Sequence, residues 1–186
     1  MVITMTNLVY RQAHSEDAEA IAKLHTLSWQ TSLRGILPDA FLDQQVPNIH
    51  KSRWQEVLAG RPADYQGKDD FLCLAEEHGE LIGFVYCRKP EEPSWGTLLD
   101  NMHVQPELKG RGLGRQLAQR GARWSLEEAG SKSMHLWVFE ANKTAVNAYL
   151  RWGGERVERE LEEVAGNIHA WVYRFYWEDV THNLLA

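Results

Sequence analysis

Hydrophobic and polar positions follow two rhythms along this chain, and each change of rhythm marks an element. Asn7 to Gln12 alternates with a period of two, as a short half-buried strand does. From Ser15 the rhythm is helical. Ile21, Leu24 and Leu27/Ser28 share a face, Ser15 is the expected cap, and Glu16 and Asp17 suit the positive end of the helix dipole. Pro38 to Gln45 and Asn48 to Leu58 read as two further helical stretches, and Gly60 to Asp70 as an exposed loop. FLCLAEE and ELIGFVYCRK flank His78–Gly79, a hairpin signal. LLDNMHV, ending at Val104, reads as a central strand, and Gly112 to Ala129 as the next helix. Met134 to Glu140 is strand-like, a helix begins at Asn142, and two closing strands run from about Glu155 to Val164 and Ile168 to Trp177. This order predicts an α/β fold of the α+β type. Its mixed, mostly antiparallel sheet has one parallel strand–helix–strand step.

Composition narrows the class. A length of 186 residues with 44% hydrophobic and 25% charged residues fits a single globular domain, 1–186, with a sizeable core. The net charge of −6 argues against general nucleic-acid binding. There is no run of 18 apolar residues for a membrane span, and the start MVITMTNLVYRQAH lacks the pattern of a signal peptide. Cys73 and Cys87 lie in strand-like runs and read as reduced packing thiols. A cytoplasmic setting is expected. No Cys/His set has zinc spacing, so no metal is predicted.

The chemistry concentrates between Leu98 and Leu117. There an apolar strand ends at Val104, Pro106 breaks it, and Gly110, Gly112 and Gly114 open a helix. A glycine-rich turn at a helix N-terminus presents backbone N–H groups and a favourable dipole to phosphate. A P-loop fits poorly, because Arg115 and Gln116 follow Gly114 where Lys and a hydroxyl are needed. The spacing G-x-G-x-G and the lack of an acid at the end of a second strand fit a dinucleotide fingerprint poorly.

The run KGRGLG, Lys109 to Gly114, resembles instead the pyrophosphate loop [QR]-x-x-G-x-[GA] of the GNAT superfamily of acyl-CoA-dependent N-acyltransferases. Lys109 stands where that family usually has Gln or Arg. NKTAVNAYLRWGG resembles the family's N-x-x-A-x-x-x-Y-x-x-x-G, with Asn142, Ala145, Tyr149 and Gly153 in place. SWQTSLRGILPDAFLD resembles W-x-x-x-Y-x-G-x-L-P-x-x-[FY]-L, with Leu33 replacing the usual Tyr. The resemblance implies that the strands ending near Val104 and Glu140 splay apart to admit the pantetheine arm of acetyl-CoA. It implies backbone contacts from Met102, His103 and Val104, and phosphate contacts from Lys109, Gly110, Arg111, Gly112, Leu113, Gly114 and Arg115. Asn142 and Ala145 complete the cofactor set. Arg111 and Arg115 are equally readable as solvated charges, and Asn142 also as a helix cap.

Acyl transfer to an amine needs a proton acceptor, because alkyl amines are protonated at neutral pH. Asp100 shares the Val104 face unless a bulge intervenes, and is the first candidate base. His103, on the opposite parity, is a second. Glu140, across the gap, can serve as base, bind the substrate ammonium or cap the next helix. Tyr149 is the candidate general acid for the departing thiolate. Trp29, Leu33 and Asp100 are expected to meet the acceptor, with Phe41 and Trp54 as further aromatic lining, and Asp39 and Asp43 as attractors of a cation or plain helix-solvating charges. The expected partner is a small-molecule amine. Acetylation of a protein N-terminus or lysine, or a non-catalytic acyl-CoA-binding role, are the alternatives. The aromatic strand Ala170 to Trp177 fits either a homodimer contact or an internal place in the sheet.

Overall fold

A computed structural model describes residues 7–65, 69–90 and 94–186. Residues 1–6, part of the start on which the leader argument rests, and 66–68 of the expected loop lie outside the described residues. The strands are β1 (Leu8–Gln12), β2 (Asp70–Glu77), β3 (Glu80–Arg88), β4 (Thr97–Val104), β5 (Met134–Phe139), β6 (Glu155–Ala165) and β7 (Ile168–Trp177). The helices are α1 (Ala18–Ser32), α2 (Asp39–Gln44), α3 (Val46–Val57), α4 (Leu113–Glu127) and α5 (Lys143–Arg151). All strands join one open sheet in the order β1-β2-β3-β4-β5-β7-β6, and every neighbouring pair is antiparallel except β4–β5. The aromatic strand β7 is internal, paired to β5 on one side and β6 on the other.

Helices cover both faces of the sheet. Leu113, Leu117, Ala118 and Ala122 of α4 pack with Val85, Cys87, Leu99 and Leu136. On the other face Ile21 and Leu24 of α1 and Trp54 of α3 pack with Leu72, Leu74 and Phe84. Each fully buried side chain of this size contributes roughly 1.5–3 kcal/mol. Gly121 lets α4 lie close to the sheet, since a Cβ there would sit 2.7 Å from Cys87 Sγ. Both cysteines are free and buried.

One local expectation fails. Ser15 opens a short 3-10 turn over Ser15–Asp17 rather than capping α1. The cap is Asp17, whose carboxylate accepts the His14 N–H at 2.9 Å and is itself gripped by Arg11 at 2.7 and 2.8 Å.

Two irregularities position the site. First, β4 and β5 pair only at Thr97↔Met134 and Leu98↔His135, and then separate. The β4 backbone beyond Leu98 therefore turns unpaired groups toward the gap. Second, β4 carries a bulge: Tyr86 faces Asn101 and Cys87 faces Leu99, which leaves Asp100 unmatched. The extra residue resets the alternation of side chains. Leu99, Met102 and Val104 consequently pack on the α4 side.

Candidate functional site

A cleft of about 720 Å³ fills the gap between β4 and β5. One wall, on the side expected to hold the acyl donor and called the donor wall, runs from Lys109 through the first turn of α4 to α5; the other, expected to meet the acceptor and called the acceptor wall, is the inner side of α1.

The donor wall is a backbone device. Gly110 and Gly112 hold φ of +83° and +84°, the left-handed region that side chains resist, and open space lies where their Cβ atoms would be. Gln116 N–H returns to the Gly112 carbonyl at 3.1 Å, while the N–H groups of Leu113, Gly114 and Arg115 have no backbone partner among the described residues. These are the free donors of a helix N-terminus. Arg115 adds a buried Nε without a partner among the described residues, and its Nη2 donates to the Ala186 backbone oxygen at 3.2 Å. The donor set fits a pyrophosphate. Lys109 lines the cleft and reaches across to Ser32 Oγ of α1 at 2.6 Å. Arg111 is not among the lining residues.

Asn142 caps α5, its Oδ1 accepting the Ala145 N–H at 3.2 Å, and both residues line the cleft. Tyr149 faces the cleft from α5, its ring packed at 5.5–5.6 Å from Trp152 and Phe175. Its hydroxyl meets no protein partner among the described residues. Burial pushes that phenol up to about 12, so it carries its proton at neutral pH.

The acceptor wall departs from the sequence expectations. The bulge turns Asp100 toward α3, where Arg53 Nη2 holds its carboxylate at 2.6 Å and Arg88 Nε stands at 3.3 Å. Asp100 still lines the cleft, but as a carboxylate shared by two guanidinium groups. The predicted sharing of the Val104 face is thereby corrected. Glu140 is not part of the cleft lining. Tyr173 donates to one of its oxygens at 2.8 Å and Arg159 to the other at 2.9 Å, which together hold its carboxyl below the usual range. Trp29 and Leu33 do line the cleft. Phe41 and Trp54 do not: they are buried in two separate hydrophobic clusters. Asp39 and Asp43 are engaged by Arg34, at 3.2 and 2.8 Å.

What the sequence reading missed is a stack of histidines behind this wall. His25 and His50 lie face to face with centroids 3.5 Å apart, and His103 tilts against His25 at 4.2 Å. Trp29 meets His25 and His50 edge-on, at 5.6 and 5.0 Å. Burial depresses all three imidazoles, His50 to about 4 and His103 to about 3, with the neighbouring ring His103 adding to the effect on His25. The signal was present as repeated spacing, since His25/Trp29 and His50/Trp54 both sit four residues apart on their helices.

Comparison with known proteins matches this geometry. The chain is 27% identical over 158 residues to an uncharacterized N-acetyltransferase, YuaI, of Bacillus subtilis, covering 84% of this chain and 85% of that one. It is 26% identical over 153 residues to the L-amino acid N-acetyltransferase AaaT of Escherichia coli, covering 81% and 85%. The fold is similar to that of the PaiA N-acetyltransferase of Thermoplasma acidophilum in complex with coenzyme A, with TM-score 0.69 and 16% identity, covering 91% of this chain and 98% of that one. Residues 20–154 match the model of the Acetyltransferase (GNAT) family. With its splayed β4 and β5 and its glycine turn at the α4 N-terminus, the chain belongs to the GNAT family of acetyltransferases.

Proposed function

We propose that this acetyltransferase moves an acetyl group from acetyl-CoA to the primary amine of a small molecule, by direct attack within a ternary complex. The observation that carries the reading is a single cleft that joins the α4 N-terminus to the Tyr149 hydroxyl and opens on the α1 wall. Acetyl-CoA supplies a thioester, whose carbonyl carbon forms the new C–N bond as the C–S bond breaks. Leu113, Gly114 and Arg115 hold the pyrophosphate through backbone N–H groups. The unpaired β4 edge from Met102 to Val104 aligns the pantetheine amides and the carbonyl. Tyr149, protonated at neutral pH, donates its proton to the departing sulfur.

The amine must lose a proton to attack. Asp100 is already shared by Arg53 and Arg88, and Glu140 stands outside the cleft, so the proposal assigns that proton to water in the open cleft. Trp29 and Leu33 contact the acceptor. The name of the AaaT relative, an L-amino acid acetyltransferase, supports a small free amine. The setting proposed is cytoplasmic and no metal takes part. No helix among the described residues is long and apolar enough to cross a membrane.

The test is acetyl-CoA calorimetry followed in the same sample by thiol release against a panel of amines and peptides. Stoichiometric binding with turnover on a small amine is expected. Turnover confined to peptides contradicts the small-molecule part, and binding without any turnover contradicts the catalytic reading.

A further inference from the structure

The histidine stack has a property that bears on which amines fit. Trp54 Nε1 lies 3.1 Å from His25 Nδ1, and an indole nitrogen only donates. The proton of neutral His25 therefore sits on Nε2, which is buried without a partner among the described residues. The same logic applies one ring along. Ser28 is buried, and the only hydrogen-bond acceptor found for its hydroxyl among the described residues is His103 Nδ1, at 2.9 Å. A Ser28 hydroxyl that donates to Nδ1 puts the His103 proton on Nε2, and this is the arrangement the proposal uses. Nε2 of His103 has no protein acceptor among the described residues, and both His103 and Ser28 line the cleft. The ring is clamped by His25 at 4.2 Å and Phe84 at 5.3 Å. The nearby carboxylate, Asp100, is already held by Arg53 at 2.6 Å.

We propose that His103, oriented by Ser28, donates a hydrogen bond from Nε2 to an oxygen that the acceptor carries close to its amine. The preferred acceptors are then amines bearing a carboxylate or an amide carbonyl, rather than plain alkyl amines. This rests on the small-amine reading above and deepens it. His103 is an acceptor-recognising residue, and Ser28 a positioning residue that fixes its tautomer. A donor aimed at an oxygen discriminates against an analogue lacking it, because the donor is otherwise left unpaired.

The test compares matched series at saturating acetyl-CoA: leucine, leucinamide and 3-methylbutylamine, and phenylalanine, phenylalaninamide and phenethylamine. Thiol release is expressed as kcat/KM per unprotonated amine. In the unmodified protein at least one oxygen-bearing member of a series should exceed the plain amine by about tenfold or more. An advantage of the acid alone identifies a carboxylate, and a shared advantage a carbonyl oxygen. His103→Phe, which keeps a ring in the stack, should abolish the preference while acetyl-CoA affinity, assigned to the β4 backbone rather than to this side chain, is kept. His103→Gln, which restores an N–H donor, should recover part of it. Equal or better turnover of the plain amine, or a preference that survives His103→Phe, overturns the proposal. Acetyl-CoA binding with no thiol release from any member contradicts instead the small-amine reading beneath it.

Discussion

On the donor wall, the free groups at the cleft are backbone amides of a segment continuous in sequence, Leu113 to Arg115, set by the left-handed glycines Gly110 and Gly112. On the acceptor wall, the groups are side chains from α1 and β4, as far apart in the chain as Ser28 and His103, with α3 behind them. The first construction depends on local backbone conformation and the second on packing across the sheet. The donor wall should therefore tolerate changes in side chains but not in φ. The acceptor wall should tolerate changes in backbone-neutral positions but not in the stack.

The largest expected effect breaks the chemistry that both walls serve. Tyr149→Phe should lower kcat by about 10²- to 10³-fold with little change in acetyl-CoA affinity; unchanged turnover at saturating substrates would sink the general-acid role. Next comes the donor wall. Gly112→Val forces a β-branched residue to φ near +84°, at a cost of about 1–3 kcal/mol, and should weaken acetyl-CoA binding by about tenfold or more.

The acceptor wall should declare itself in acid. An unfolded histidine takes up a proton near pH 6.5, whereas His50 and His103 hold theirs off to about 4 and about 3. Between those values the unfolded chain binds more protons, so stability falls as pH drops from about 6.5 toward 3. Thermal melts should show this decline, and His50→Phe should flatten it. A decline equally steep in the variant would show that the stack is not its source.

Smaller effects test the corrections. Asp100→Asn should leave the shape of the pH–rate profile intact, since its carboxylate is shared by Arg53 and Arg88. Loss of the alkaline-rising limb would restore it as the base. Glu140→Gln should change kcat/KM by less than about twofold, with a slightly lower melting temperature from the weakened Tyr173 and Arg159 contacts.

The same contrast explains what was legible in the sequence. The hairpin at His78–Gly79, the strand ending at Val104, the glycine turn and the Asn142 cap are local patterns, and they stand where the residue order places them. The splay between β4 and β5 followed from the resemblance rather than from periodicity. The bulge at Asp100 entered only as a possibility, because a period-two reading cannot locate an inserted residue, and it turns this candidate base toward Arg53. Ser15 looked like a cap, but Arg11 and His14 recruit Asp17 instead. Glu140 was lost to a pair of partners on β6 and β7 that lie 19 and 33 residues away. The histidine stack needed three elements to meet, so its i,i+4 spacing was a signal that could not by itself bring α1, α3 and β4 together.

The most direct test of the account measures acetyl-CoA affinity by calorimetry for the unmodified protein, Gly112→Val and His103→Phe side by side. The account predicts stoichiometric binding by the unmodified protein, a loss of about tenfold or more in Gly112→Val, and an unchanged affinity in His103→Phe. Equal affinity in Gly112→Val, or an equal loss in both variants, would contradict a donor wall built of backbone and separate from the acceptor wall.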